Sequence, residues 1–184
     1  MKLKHLLLLI ALLSIYSINF SQSPLDQGNY QLAGSVSFSK AEDNNEYFHD
    51  KSLYIQASPQ LSYFVIDNLL VGGLLSFRYS EYEWTSRESY FSVYRSLSVG
   101  PLVKYYFRTE SIIPFVGASA TYLKYFGEDE YAYSLSFSAG VNYFIAKSLA
   151  LEPFVQYDMT NYYKPESDMK EFSFGLRLNY FIIK

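Results

Sequence analysis

Residues 171–183 read EFSFGLRLNYFII, and their alternation decides the fold: Phe172, Phe174, Leu176, Leu178, Tyr180 and Ile182 fall on one face, Ser173, Gly175, Arg177 and Asn179 on the other. A period of two belongs to an extended strand, and no apolar stripe at helical spacing competes with it. The pattern recurs upstream. Tyr133, Leu135, Phe137, Ala139, Val141 and Tyr143 oppose Ser134, Ser136, Ser138, Gly140 and Asn142, while Leu97, Val99, Val103 and Tyr105 oppose Ser96, Ser98, Gly100 and Lys104. Read this way along its length, the chain predicts strands at 29–39, 52–65, 69–81, 91–107, 112–126, 131–145, 148–162 and 171–183.

The connections alternate in length. Those at 66–68, 108–111 and 146–147 are short, whereas 40–51, 82–90 and 163–170 are longer and richer in acids, and 127–130 is short but acidic. Tight turns at one end and longer loops at the other are the habit of barrels that cross an outer membrane, and place both termini on the periplasmic side. An aromatic pair stands just before or at the foot of each hairpin: Tyr63-Phe64, Tyr105-Tyr106, Tyr143-Phe144 and Tyr180-Phe181. Their steps of about 42, 38 and 37 residues each fit one strand out and one back, and the eight residues are expected to form a periplasmic aromatic girdle.

Which face looks outward follows from residue size. The interior of an eight-stranded barrel is barely wide enough for its own side chains, so Phe, Tyr, Leu and Val belong in lipid and Ser, Gly, Gln and Asn inside. A soluble, lipocalin-like carrier with the opposite sidedness would need a charged exterior, which the small polar face does not supply. On the chosen parity Arg78, Lys104, Glu152, Asp158 and Arg177 point inward, as an interior cluster of mutually compensating charges, with Arg177 expected to reach Glu152 or Asp158. Arg95 and Lys124 point outward near the external strand ends, where charge in a bilayer costs little.

Composition agrees. Among 184 residues, 20 Tyr and 15 Phe stand against one Trp, and aromatics reach 20%. The net charge of -3, with scattered Lys and Arg, offers no field for nucleic acid, and zero cysteines exclude disulfides, thiolate metal sites and a cysteine nucleophile. Lys2 and Lys4 precede the apolar run 6–15, which is too short to span a membrane; residues 1–21 read as a signal peptide cut after Ser21, and 22–184 as the barrel.

With these residues in hand, the chain resembles the small eight-stranded outer-membrane barrels, the group that holds the OmpA membrane domain, OmpX and the OmpW-like proteins. The resemblance is most specific at Gly175, Leu178 and Tyr180, which look like the positions read by the barrel-assembly machinery; the chain departs from many relatives by running past Phe181 to Lys184. It implies an all-β, eight-stranded antiparallel up-and-down transmembrane barrel in the outer membrane of a Gram-negative bacterium. Its partners there would be membrane lipid, lipopolysaccharide and the assembly machinery.

No catalytic, metal or cofactor-binding residue is expected. His49, with Asp50 and Ser52, sits in a polar loop, and sequence neighbours of this kind rarely form a relay, although some small barrels modify lipid A with a His and a Ser. The acids Glu42, Asp43, Glu46, Asp50, Glu81, Glu83, Glu88, Glu128, Asp129, Glu130, Glu166 and Asp168 form an acidic external rim without calcium-site spacing. Pro59, Pro101, Pro114 and Pro153 predict bulges or strand ends. The leading expectation is a non-enzymatic protein with a side-chain-filled lumen, serving envelope integrity or adhesion. The alternative, drawn from the OmpW-like resemblance, is a narrow transporter of small apolar molecules, favoured if apolar residues line the upper lumen.

Overall fold

The computed structural model describes residues 23–44, 49–85, 89–109, 112–127, 131–163 and 166–184. The expected signal peptide lies outside them. Eight strands follow in chain order: β1 Tyr30–Asn44, β2 His49–Ile66, β3 Leu69–Thr85, β4 Ser89–Tyr106, β5 Ile112–Tyr125, β6 Tyr131–Ala146, β7 Leu149–Tyr163 and β8 Glu166–Ile182. Each pairs antiparallel with its sequence neighbours, and β8 returns to β1, closing the barrel.

Sidedness follows residue size. Val36 and Phe174 are each 79% exposed on the exterior, with Phe38, Phe137, Tyr133 and Leu176 beside them, whereas Gln31, Ser62, Ser96, Ser136, Asn142 and Asn179 are buried within. An exterior of this kind gains its free energy from acyl chains rather than from water. Following the pair register from Leu32 around the barrel returns to β1 about ten residues higher, which tilts the strands by roughly 40°.

Three expectations need correction. The external segments 40–44, 49–51, 82–85, 89–90 and 166–170 are strand, because the pairing of each hairpin runs on beyond the apolar band. Pro59, Pro101 and Pro153 do not shift register. Each interrupts the ladder toward one neighbour and stays paired with Gly34, Gly73 or Leu176 on the other, so the missing N–H is absorbed on one side only. The register shifts occur instead at Val65 and Ile145, beside the tight turns, the first of which uses the left-handed Asn68 at φ 67°.

The third correction concerns the aromatic pairs. Neighbours on a strand face opposite ways, so one member of each pair cannot join a girdle. Tyr105 and Tyr143 are exposed and Tyr63 and Tyr180 half-buried, but Phe64, Tyr106 and Phe181 are fully buried and Phe144 packs with them. Together with Leu25, Leu70, Leu102, Phe115 and Ala150 they form the only apolar core among the described residues, a stopper at the end that carries both termini. Phe64 stacks on Phe181 at 6.3 Å and lies 5.8 Å from Tyr106.

Leu25 arrives from a short segment tucked under the barrel. Asn68 N–H donates to the Leu25 carbonyl at 2.9 Å and Gly28 N–H to that of Phe64 at 3.0 Å, while the Lys184 N–H donates to Asn29 Oδ1 at 3.1 Å. Arg108 reaches Asp26 at 2.7 Å across the same surface.

Candidate functional site

Above the stopper lies a charged layer centred on Glu152, which is fully buried on β7. Lys104 Nζ donates to its Oε1 at 2.8 Å, and Arg177 Nη1 donates to the same oxygen. Asn179 Nδ2 at 2.7 Å and Asn142 Nδ2 at 3.1 Å donate to Oε2. Four donors on one carboxylate compensate the burial of the ion, which alone would be prohibitive. Below, the Tyr106 hydroxyl accepts from Gln31 at 2.9 Å, joining this layer to the stopper.

Arg177 is held from above as well. Its guanidinium lies 3.9 Å from the centre of the Phe154 ring, a cation–π contact in a desolvated place. That ring occupies the space over Gly175, where a Cβ would come within 2.3 Å of it. Glycine at 175 is thus required by the ring of its cross-strand partner, Phe154.

The interior charges therefore separate into two levels. Lys104, Glu152 and Arg177 form the floor; Arg78 and Asp158 lie nearer the external mouth and touch neither the floor nor each other. Arg78 sits over the Tyr54 ring at 5.4 Å, with no carboxylate within ion-pair distance among the described residues. Asp158 accepts from Ser136 and, at 2.9 and 3.0 Å, from Gln156.

Between these levels the lumen is open. A cavity of about 520 Å³ is walled by Gln56, Ser58, Ser76, Ser119, Ser136 and Gln156, with Lys104 and Arg177 at its base. The side-chain-filled interior holds only for the lower part. Ser, Thr and Gln are too short to meet across the axis, whereas the aromatics below span it.

The cavity also opens sideways. Strands β1 and β8 are paired through residues 30–34 and 178–182 only, five pairs, although β1 continues to Asn44 and β8 begins at Glu166. Above Gly34 the described residues show no pairing between them. Ser35, Val36 and Ser37 on one lip and residues 173–177 on the other line the cavity, and the exposed Val36, Phe38, Phe174 and Leu176 place the gap at the height of the apolar band. Nothing in the alternation foretold this seam, since every strand on either side of it has the same two faces.

Of the remaining expectations, the side chains of His49 and Asp50 lie outside the described residues, as do those of Glu42, Asp43, Glu46, Glu88, Glu128, Asp129, Glu130 and Glu166. Glu81, Glu83 and Asp168 are on strands, and Tyr79 donates to Glu81 at 2.8 Å.

By sequence, no family model and no curated protein matches the chain. Solved structures of outer-membrane proteins are similar to it. Outer membrane protein OprG from Pseudomonas aeruginosa aligns over 89% of this chain and all of its own, at 12% identity and a TM-score of 0.59. The fold is that of the small outer-membrane barrels. Neisserial surface protein A aligns over 84% and 97% at 16% identity and a TM-score of 0.49, and outer membrane protein AlkL, solved in lipid bilayers, over 92% and 96% at 13% and 0.49. In this chain the short turns and both termini lie at the stopper's end, and the cavity opens at the other.

Proposed function

We propose that this barrel is a non-enzymatic lateral conduit: a small amphipathic molecule enters the external mouth, rests in the cavity and leaves through the β1–β8 seam into the outer leaflet. One observation carries the reading. The seam is unpaired at the height of the apolar band while the stopper seals the straight path below it. In hydrocarbon an unpaired strand edge is costly, so an open edge is tolerable only where it lines a water-filled space or a passenger. The wall is polar, not the apolar upper lumen that would have favoured the alternative of a transporter for small apolar molecules, so the passenger proposed here is one with a polar end. The envelope or adhesion reading, which a Ser- and Gln-lined interior favours, would use loop tips and exposed strand ends as its contact surface; the open cavity and the seam are what support transport instead. Removal of residues 1–21 and insertion by the assembly machinery belong to the same proposal.

The test is to lock the seam. Val36 and Leu176 would be the next partners but one above the last observed pair, Gly34 with Leu178, and the chain has no native cysteine to interfere. A Val36→Cys/Leu176→Cys disulfide is expected to abolish outer-membrane uptake of a naphthylamine probe that fluoresces on entering the bilayer, with reduction restoring it. Uptake unchanged in the oxidised protein would rule out the lateral route.

A further inference from the structure

The lumen charges that the floor does not use form a second level toward the open end. Arg78 on β3, Asp158 on β7 and Glu171 on β8 all line the cavity. With a rise of about 3.3 Å per residue, strands about 4.8 Å apart and a tilt of roughly 40°, the pair register brings them within about 3 Å of one height, roughly 15 Å above the floor. Asp158 and Glu171 are direct partners across the β7–β8 ladder, so two acids stand side by side. Strand β3 lies opposite β7 in the ring, which sets Arg78 across the lumen from Asp158 with Cα atoms about 16 Å apart.

This level is built unlike the floor. Opposite charges touch below, whereas among the described residues no ion pair joins Arg78, Asp158 or Glu171 to any partner. Asp158 is steadied by Ser136 and Gln156, and Arg78 by the Tyr54 ring, whose phenol feels both Arg78 and Glu171. Hydroxyls of Ser98, Thr121 and Ser134 line the wall between the two sides. Arg78 and Asp158 are only half-buried and Glu171 is exposed, so each can exchange water for a ligand group at small cost. A transverse field results, positive on β3 and negative on β7 and β8, and its negative side adjoins the seam, of which β8 is one lip.

We propose that this level is a selectivity collar for a zwitterionic head group, its anion turned toward Arg78 and its ammonium toward Asp158 and Glu171, with the tail hanging into the cavity beside the seam. The collar rests on the conduit reading and names the class of its passenger. A purely anionic head would answer Arg78 but meet two acids on the way to the seam, and a purely cationic head would leave Arg78 unanswered. A zwitterion satisfies both sides at once, by complementarity of charge rather than by any fit of shape.

Equilibrium dialysis of the barrel in lipid nanodiscs, with empty discs subtracted, tests this against hexyl betaine, hexanoate and hexylammonium, which share one short chain. The betaine is expected to bind roughly tenfold more tightly than either singly charged compound. Arg78→Gln is expected to erase its advantage over hexylammonium and keep that over hexanoate, and Asp158→Asn/Glu171→Gln to do the reverse. Asp168→Asn, outside the cavity lining, is expected to change none of the three, and heat-modified gel mobility checks that every variant is folded. Equal binding of the three compounds, or variants that weaken all three alike, would overturn the collar. The oxidised Val36→Cys/Leu176→Cys barrel is expected to bind the betaine as the parent does, so a failed collar and a failed lateral route give different results.

Discussion

Glu152→Gln removes the single charge on which both floor cations depend while keeping the size and two of the accepting lone pairs of the side chain. Lys104 and Arg177 are each 4% exposed, so neither reaches bulk water without moving the layer. Breaking a buried pair by deleting one partner costs about 3–5 kcal/mol. The two cations left behind also repel each other, and at an effective dielectric near 20 two charges about 4 Å apart interact by about 4 kcal/mol, an upper figure since Lys104 can swing toward the cavity. A loss of about 3–5 kcal/mol is therefore expected, measured by urea unfolding of the barrel in lipid vesicles. Adding Lys104→Met returns the net charge of the layer to its native value and is expected to recover a large part of that loss. A cost below about 1 kcal/mol for Glu152→Gln, or no recovery in the double variant, would refute the claim that one carboxylate holds the layer together.

Gly175→Ala is expected to cost about 1–3 kcal/mol, because its methyl group meets the Phe154 ring and displaces it from Arg177; Phe154→Leu in the same chain should relieve part of the loss on urea unfolding. Phe64→Ala, at the centre of the stopper, is expected to cost about 3–5 kcal/mol and, with Leu25→Ala, to give ion conductance across a planar bilayer where the parent gives little. Asn68→Ala should cost about 1–3 kcal/mol and Asn68→Gly much less, since the residue sits at positive φ; parallel melting curves read the difference.

Much of this architecture is written in period two. The lipid face of β8 is visible in Phe172, Phe174 and Leu176 without any coordinates, and so are the eight strands, because the bilayer forces one chemistry on each face. Period two also states that Phe64 and Phe181 turn inward. The repeat of aromatic pairs hides this, since its regular spacing invites reading two neighbours as one unit. Arg177 and Glu152 stand on adjacent strands and are legible partners. Lys104 belongs to β4 and meets them only across the closed lumen, a relation that depends on stagger and tilt. Leu25 gives no signal at all, lying before the first strand among polar residues. The seam is equally silent, because pairing between the first and last strands is a property of closure and leaves no mark in the local pattern of either.

That incomplete closure has a folding consequence. Every other strand joint is made by a hairpin and is local in sequence, whereas the joint of β1 with β8 links residues nearly the whole barrel sequence apart and is secured at one end only. Bringing such distant segments together carries the largest loop-closure entropy in the molecule, so it is made last. What is made last and fastened least should part first: the barrel is expected to unzip from the external lip downward. Amide hydrogens of residues 35–38 and 172–176 should then exchange well ahead of those of residues 30–34, and uniform exchange along β1 would show that the wall yields as one piece.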